Sequence, residues 1–176
     1  ANSSRTRTIV IGVRKDLAKD VLPYELFPDY KEERTLKDII YDLPRLKKMG
    51  EISKSDIYHS FREYSPHMQE WISEISEGQS AYDNADPLKR PHRIINEKVV
   101  ENVNKNGDKY KRQLWNKVAP CVHTRNDILA SQNTVHPEDD RVFSVRELML
   151  MMSIPSSFKW VEQNEKELNK LSLSEK

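Results

Sequence analysis

One cysteine, Cys121, and four isolated glycines, Gly12, Gly50, Gly78 and Gly107, remove several chemistries from this 176-residue chain. A lone thiol builds no disulfide framework and suits a reducing cytoplasm. Glycines that stand alone form no phosphate-cradling loop, which needs several in close register. No apolar run approaches the ~20 residues of a membrane-spanning helix and no signal peptide is visible, so no membrane partner is expected. Charge of one sign is also lacking. With 29 Lys and Arg against 28 Asp and Glu, the net charge is +1, and any attraction to phosphate must come from local clusters. Only 36% of residues are hydrophobic and 32% are charged, a thin core that leaves surface suited to meeting another domain. His59, His67, His92, His123 and His136 are scattered, and Cys121 with His123 is a single pair where tetrahedral zinc needs two, so no metal is expected. The length fits one domain, or one domain with an appendage.

The most informative stretch that is present runs from Arg141 to Phe158. Ser144 followed by Glu147 is a capping box, in which each side chain satisfies an orphan amide of the other, so a helix should begin at Val145. Leu148, Met151, Met152 and Pro155 then fall at helical spacing and predict the inward face. Arg141 lies just before this helix and Arg146 in its first turn, where a cation gains nothing from the helix dipole. Their residue types alone allow pairing with Glu138-Asp139-Asp140 or Glu147.

At the other end, Ser3-Ser4-Arg5-Thr6-Arg7 leads into Thr8-Ile9-Val10-Ile11-Gly12-Val13, a β-branched run that predicts a strand buried on both faces. Alternation would put Arg5 and Arg7 on one face about 7 Å apart, a spacing suited to two oxygens of one ligand.

Between these ends, helix punctuation is good and strand signals are sparse. Thr35 with Asp38 caps a helix carrying Leu36, Ile39, Ile40 and Leu43. Ser65-Pro66 opens a second, with Met68, Trp71, Ile72 and Ile75 inward and Gly78 as its stop. Residues 79–91 read as an exposed loop. A third helix is expected over 96–106, with Val99, Val100 and Val103 inward. From Lys109 to Pro137 the cations Lys109, Lys111, Arg112 and Lys117 are interleaved with Tyr110 and Trp115, after which Cys121 to Asn126 alternates like a strand. Arg, Asn and Gln pair bidentately with base edges, so Arg125, Asn126, Gln132 and Asn133 are the candidate DNA contacts, with Lys111 and Arg112 supplying positive charge beside them. An ordinary polar loop capped by its own side chains is the alternative reading.

The two ends taken together resemble the DNA (cytosine-5) methyltransferases. In that family a strand opening Gln-x-Arg-x-Arg precedes a variable target-recognition region, which is followed by Arg-x-hydrophobic-Ser/Thr-x-Arg-Glu on a helix ending near a proline. Ser3-x-Arg5-x-Arg7 is similar to the first, with serine for glutamine, and Arg141-Val142-Phe143-Ser144-Val145-Arg146-Glu147 to the second. Ile154-Pro155-Ser156-Ser157-Phe158 resembles the closing segment. The family's Phe-x-Gly-x-Gly cofactor turn, Pro-Cys-Gln nucleophile loop and Glu-Asn-Val acid motif do not occur here, and Pro120-Cys121 is followed by Val122-His123 on the wrong side of the arginine strand.

The resemblance implies an excised recognition part of an enzyme that moves a methyl group from S-adenosylmethionine to carbon 5 of cytosine. This piece alone is expected to be inactive and to hold no cofactor. Its partners would be double-stranded DNA and the catalytic domain of the same polypeptide. Arg5 and Arg7 would support the flipped cytosine, Arg141, Ser144, Arg146 and Glu147 would organise the recognition region, and Thr134-Val135 would sit in its loop. The implied fold is α+β: residues 1–18 a strand from the catalytic-domain edge, 19–140 a mostly helical target-recognition domain with short strands, 141–160 the linking helix, and 161–176 a charged tail. Ala1-Asn2 reads as a cloning remnant. A stand-alone helical DNA-binding module and a protein-interaction scaffold are the competing readings.

Overall fold

In the computed structural model, which describes residues 2–27, 29, 31–102 and 105–160, local capping signals start the helices. Helix α1, Leu36–Ile40, begins where the Thr35 hydroxyl accepts from Asp38 N at 3.3 Å and Asp38 accepts from Thr35 N at 2.8 Å. Helix α2, Pro66–Ser73, starts on its proline, without a capping bond from Ser65, and ends well before Gly78. Helix α3, Val145–Met151, repeats the capping box, with Ser144 Oγ accepting from Glu147 N at 3.2 Å and Glu147 accepting from Ser144 N at 2.6 Å.

Two clusters make the core. Trp71 and Ile72 of α2 pack with Leu46, Phe61, Ile75, Tyr110, Leu129, Val135 and Val142. Leu36 and Ile40 of α1 pack with Ala119, Phe143 and Met151, which seats α1 against α3. Strands β1, His92–Ile95, and β2, Lys98–Glu101, form an antiparallel hairpin pairing His92 with Glu101 and Ile95 with Lys98. Its two-residue turn uses Asn96 at φ +48° and Glu97 at φ +62°, the left-handed pair that matches strand twist. Single bridges, Ser80 to Lys111, Lys109 to Gln132, Arg112 to Val135 and Val135 to Val142, tie the remaining backbone together.

The elements are mixed α and β, but several expectations are corrected. Residues 19–140 carry only two α-helices among the described residues, of five and eight residues, so this region is not mostly helical. Residues 4–14 form no strand: past the bridge from Ser3 to Ala119 and the Ser4 amide on the Ala119 carbonyl, residues 5–13 meet no partner backbone among the described residues, and Val10 is 90% exposed. The helix expected over 96–106 is replaced by β2, because Val99 and Val100 alternate across a ribbon and do not share a helix face. Residues 124–127 turn, so 121–126 is no strand. The stretch 79–91 is not uniformly exposed, since Ser80, Ala81, Asn84 and Pro91 are buried. On α3, Met149 and Met151 face inward while Met152 is exposed. Val103 and the tail 161–176 lie outside the described residues. No helix among the described residues is long and apolar enough to cross a membrane.

Candidate nucleic-acid interface

Arg141 and Glu147 are each 1% exposed, and burying two charges is tolerable only if their hydrogen-bonding capacity is filled. Arg141 donates through both terminal nitrogens to the two Glu147 oxygens, each at 2.8 Å, and further to Asp139 Oδ2 at 3.1 Å and to the Val142 carbonyl at 3.0 Å. Burial alone would raise the Glu147 pKa, but the Arg141 charge and hydrogen bonds override it and hold the carboxyl at about 2. Burial likewise opposes ionisation of Asp139, and the Arg45 hydrogen bond with the Arg141 and His136 fields brings its pKa below the usual value.

The capping serine is anchored in turn. His59 Nε2 donates to the Pro44 carbonyl at 2.6 Å, so its Nδ1 accepts from the Ser144 hydroxyl at 2.8 Å. Arg146 pairs with Asp56, lies 5.1 Å from the centre of the Tyr58 ring, and its backbone amide donates to the Tyr58 carbonyl at 2.8 Å.

This network holds the strip 132–136. The Phe143 amide donates to the Thr134 carbonyl at 3.2 Å, the His136 amide to the Arg141 carbonyl at 2.8 Å, and Val135 bridges Val142. On the other side the Asn133 amide donates to the Asp108 carbonyl at 2.8 Å and the Gln113 amide to the Val135 carbonyl at 3.0 Å. His123 closes the strip from a third direction. Its Nε2 donates to the Gln132 carbonyl at 3.1 Å, while its Nδ1 accepts from the Arg125 amide at 3.2 Å.

The candidate DNA contacts therefore separate into two groups. Arg125 and Gln132 are exposed, while Asn133, in the left-handed region at φ +55°, and Lys111 are half-buried. Arg112 and Thr134 are buried and corrected to internal roles. Arg112 donates to the carbonyls of Ile72, Ile75, His136 and Asp139 and to Asp140, leaving no fork for a base, and Thr134 Oγ donates to the Ile128 carbonyl at 3.2 Å. Asn126 is also buried; its Oδ1 accepts from the His123 amide at 2.6 Å, and its Nδ2 has no partner among the described residues. Residue types could not reveal the partners of Arg112, Arg45, Asp56 and His59, which are remote in sequence, whereas the contacts of Asn126 with His123 and of His136 with Asp139 are local, three residues apart.

Arg5 and Arg7 are exposed, and Arg7 donates to the Thr6 carbonyl. The segment before Arg5 does meet the end of α3. Asn2 donates to the Ser153 hydroxyl at 3.1 Å and the Leu150 carbonyl at 3.0 Å, and the Ser4 amide to the Ala119 carbonyl at 2.9 Å, so the arginine segment leaves from the C-terminal end of α3. Cys121 is a half-buried free thiol. Among the described residues no three His, Cys, Asp or Glu converge as metal ligands. Gly12 and Gly107 stand in open space and Gly50 and Gly78 in separate turns, so the described residues do not build a glycine cradle for S-adenosylmethionine.

His136 gives the network a pH signature. Its Nδ1 accepts from the Asp139 amide at 2.9 Å, and burial, outweighing the nearby Glu147, lowers its pKa from 6.5 to about 4. The unfolded chain takes this proton at higher pH than the folded one. Stability is thus fully present above pH 6.5 and falls by about 3 kcal/mol as pH drops from there to about 4. Thermal melts across that window should show His136→Asn, which keeps an acceptor and loses the titration, with a shallower slope; an unchanged slope refutes the assignment.

The site is thus a buried Arg-Glu fork at a capped helix, tied to the polar strip 132–136, with Gln132 of that strip and Arg125 beside His123 exposed. The model of the C-5 cytosine-specific DNA methylase family matches residues 2–172, and the chain belongs to that family. Among curated proteins it is similar to the Type II methyltransferase M1.HgaI of Avibacterium volantium, 31% identical over 110 residues that cover 57% of this chain and 29% of that protein. It is also similar to the Type II methylase M.HgiDII of Herpetosiphon aurantiacus, 34% identical over 59 residues, 34% of this chain and 17% of that protein. The chain thus spans less than a third of the length of either relative. No solved structure matches.

Proposed function

We propose that this chain is the DNA-recognition part of a methyltransferase that moves a methyl group from S-adenosylmethionine to carbon 5 of cytosine within a specific duplex sequence, as in a restriction-modification system. The observation that carries this reading is the mechanical link between the Arg141–Glu147 fork and the strip 132–136, which holds Gln132 at a fixed edge. S-adenosylmethionine supplies the methyl group and would bind the catalytic domain of the same polypeptide.

Residues of this chain have three tasks. Arg125, Gln132 and Asn133 address base edges, with Lys111 nearby for phosphate. Arg141, Ser144, Arg146 and Glu147 keep that edge in place. Arg5 and Arg7 support the cytosine once it is rotated out of the stack, since the duplex covers its reactive edge. The exposed run Ile9-Val10-Ile11 becomes a strand when the catalytic domain offers backbone to pair with, which removes the cost of leaving its apolar side chains in water.

Gln132 provides the test. In the methylating polypeptide, Gln132→Ala should lower kcat/KM on the preferred sequence by about 10- to 100-fold, the worth of one bidentate base contact, and relax preference at one position. Sequencing of methylated cytosines in a randomised duplex pool reads both effects. Unchanged preference contradicts the assignment of this edge.

A further inference from the structure

The hairpin β1–β2 is absorbed by none of the roles above. Its strands are exposed beyond His92, with Ile94 at 69% and Ile95, Val99 and Val100 also open. Exposed β-branched residues on a two-stranded ribbon gain nothing for an isolated domain, and a bare ribbon edge invites pairing. The register places Arg93, Ile95, Lys98 and Val100 on one face. Arg93, Ile95 and Val100 of that face line a cleft of about 650 Å³ together with Tyr82, Lys109 and Tyr110, and Lys98 pairs with Ile95 across the ribbon.

The charge around this cleft is uneven. Glu101 is taken by Lys105 at 3.2 Å and Asp108 by Lys111 at 3.5 Å, whereas the side chains of Arg93, Lys98 and Lys109 have no ion-pair partner among the described residues. Lys109 also bridges Gln132 through its backbone, so the cleft wall and the recognition edge are continuous.

Resting on the reading of DNA recognition above, we propose that the hairpin face and Lys109 form a phosphate clamp, which holds one sugar–phosphate backbone of duplex DNA in the cleft beside the Gln132–Asn133 edge. Arg93, Lys98 and Lys109 neutralise successive phosphates, and Ile95 and Val100 supply apolar surface for the deoxyribose rings. A two-stranded ribbon has the cross-section that a DNA groove admits. Phosphate contacts fix register and carry no base information, so the clamp raises affinity on every sequence alike.

Fluorescence anisotropy of the full chain on a mixed-sequence duplex, between 50 and 200 mM salt, separates the possibilities. Each cation removed from a phosphate should lower the log–log salt slope by about 0.9, so the fall in affinity over that range should be about 40-fold smaller for R93A/K98A/K109A than for the parent. All three side chains lie outside the core, and the variant should melt with the parent. Gln132→Ala should leave the slope intact, as should the control K47A/K48A. A parental slope in the triple variant, or an equal drop in the control, overturns the clamp and leaves the recognition reading standing. Absence of duplex binding by the parent chain, or capture of another protein at the cleft in its place, overturns both.

Discussion

Arg141→Met should destabilise the chain by about 3–5 kcal/mol, lowering its melting temperature by roughly 6–20 °C or abolishing folding. Methionine fills much of the space and carries no charge, so the deficit measures the stranded carboxylates. Among the described residues Glu147, 1% exposed, would keep the Ser144 amide and the His136 ring at 3.7 Å, and Asp139 would keep Arg45. Removing one member of a buried pair leaves an uncompensated charge, which costs more than the pair itself contributes.

Two comparisons make this specific. Arg141→Met with Glu147→Leu removes both charges and should recover most of the stability. Arg141→Lys should recover little, because an ammonium cannot copy the two-pronged fork to both Glu147 oxygens. The deficit of Arg141→Met should also shrink in acid. In the parent, stability from the lowered Glu147 pKa is present above about 4.5 and lost as pH falls toward 2, while in the variant Glu147 protonates readily and the penalty disappears. Urea melts at pH 7 and pH 4 read both effects. Parental stability at pH 7 would show that the fork bears no weight.

The features legible in the chain were those whose partners lie within four residues. Thr35 with Asp38 and Ser144 with Glu147 announce their helices because a capping box is closed locally. Ile9 to Val13 reads as a strand because β-branched residues prefer that backbone, but a strand exists only where another backbone faces it, and among the described residues pairing here stops at Ser4. Asn96-Glu97 between Ile94-Ile95 and Val99-Val100 is a hairpin signal, masked by valine spacing that also suits a helix.

The polar composition of the strip 132–136 was legible and the interior contacts around it were not. Arg112 and Arg125 are the same residue type, yet one is surrounded by carbonyls of Ile72, Ile75, His136 and Asp139 contributed by remote segments, and the other is open to solvent. Thr134 and Asn126 are also buried, held by nearer partners, the Ile128 carbonyl and the His123 amide. What separates the exposed Arg125 from the buried Arg112 is backbone from remote segments, which side-chain types do not encode.

The second large effect is all-or-none. The nucleophile and cofactor motifs implied by family membership are absent from this chain, the one cysteine is followed by Val122-His123, and no glycine cradle is built by the described residues. On the proposed reading, chemistry requires a catalytic domain and target choice requires this chain. Arg5 and Arg7 leave from the end of α3 through the Asn2 contacts to Leu150 and Ser153, so docking of the catalytic domain along Ile9 to Val13 would carry both arginines to the reacting base.

The decisive measurement is transfer of a labelled methyl group from S-adenosylmethionine to duplex DNA by three proteins: this chain alone, a catalytic part carrying the Pro-Cys-Gln and Glu-Asn-Val motifs alone, and the two joined in one polypeptide. The joined polypeptide should place label on carbon 5 of cytosine at one sequence, this chain alone should place none, and substitution of Arg5 and Arg7 should abolish activity without a change in the melting temperature. Methylation by this chain alone, or a joined polypeptide whose target sequence is unaffected by changes at Arg125, Gln132 and Asn133, would refute the division of labour between the two parts.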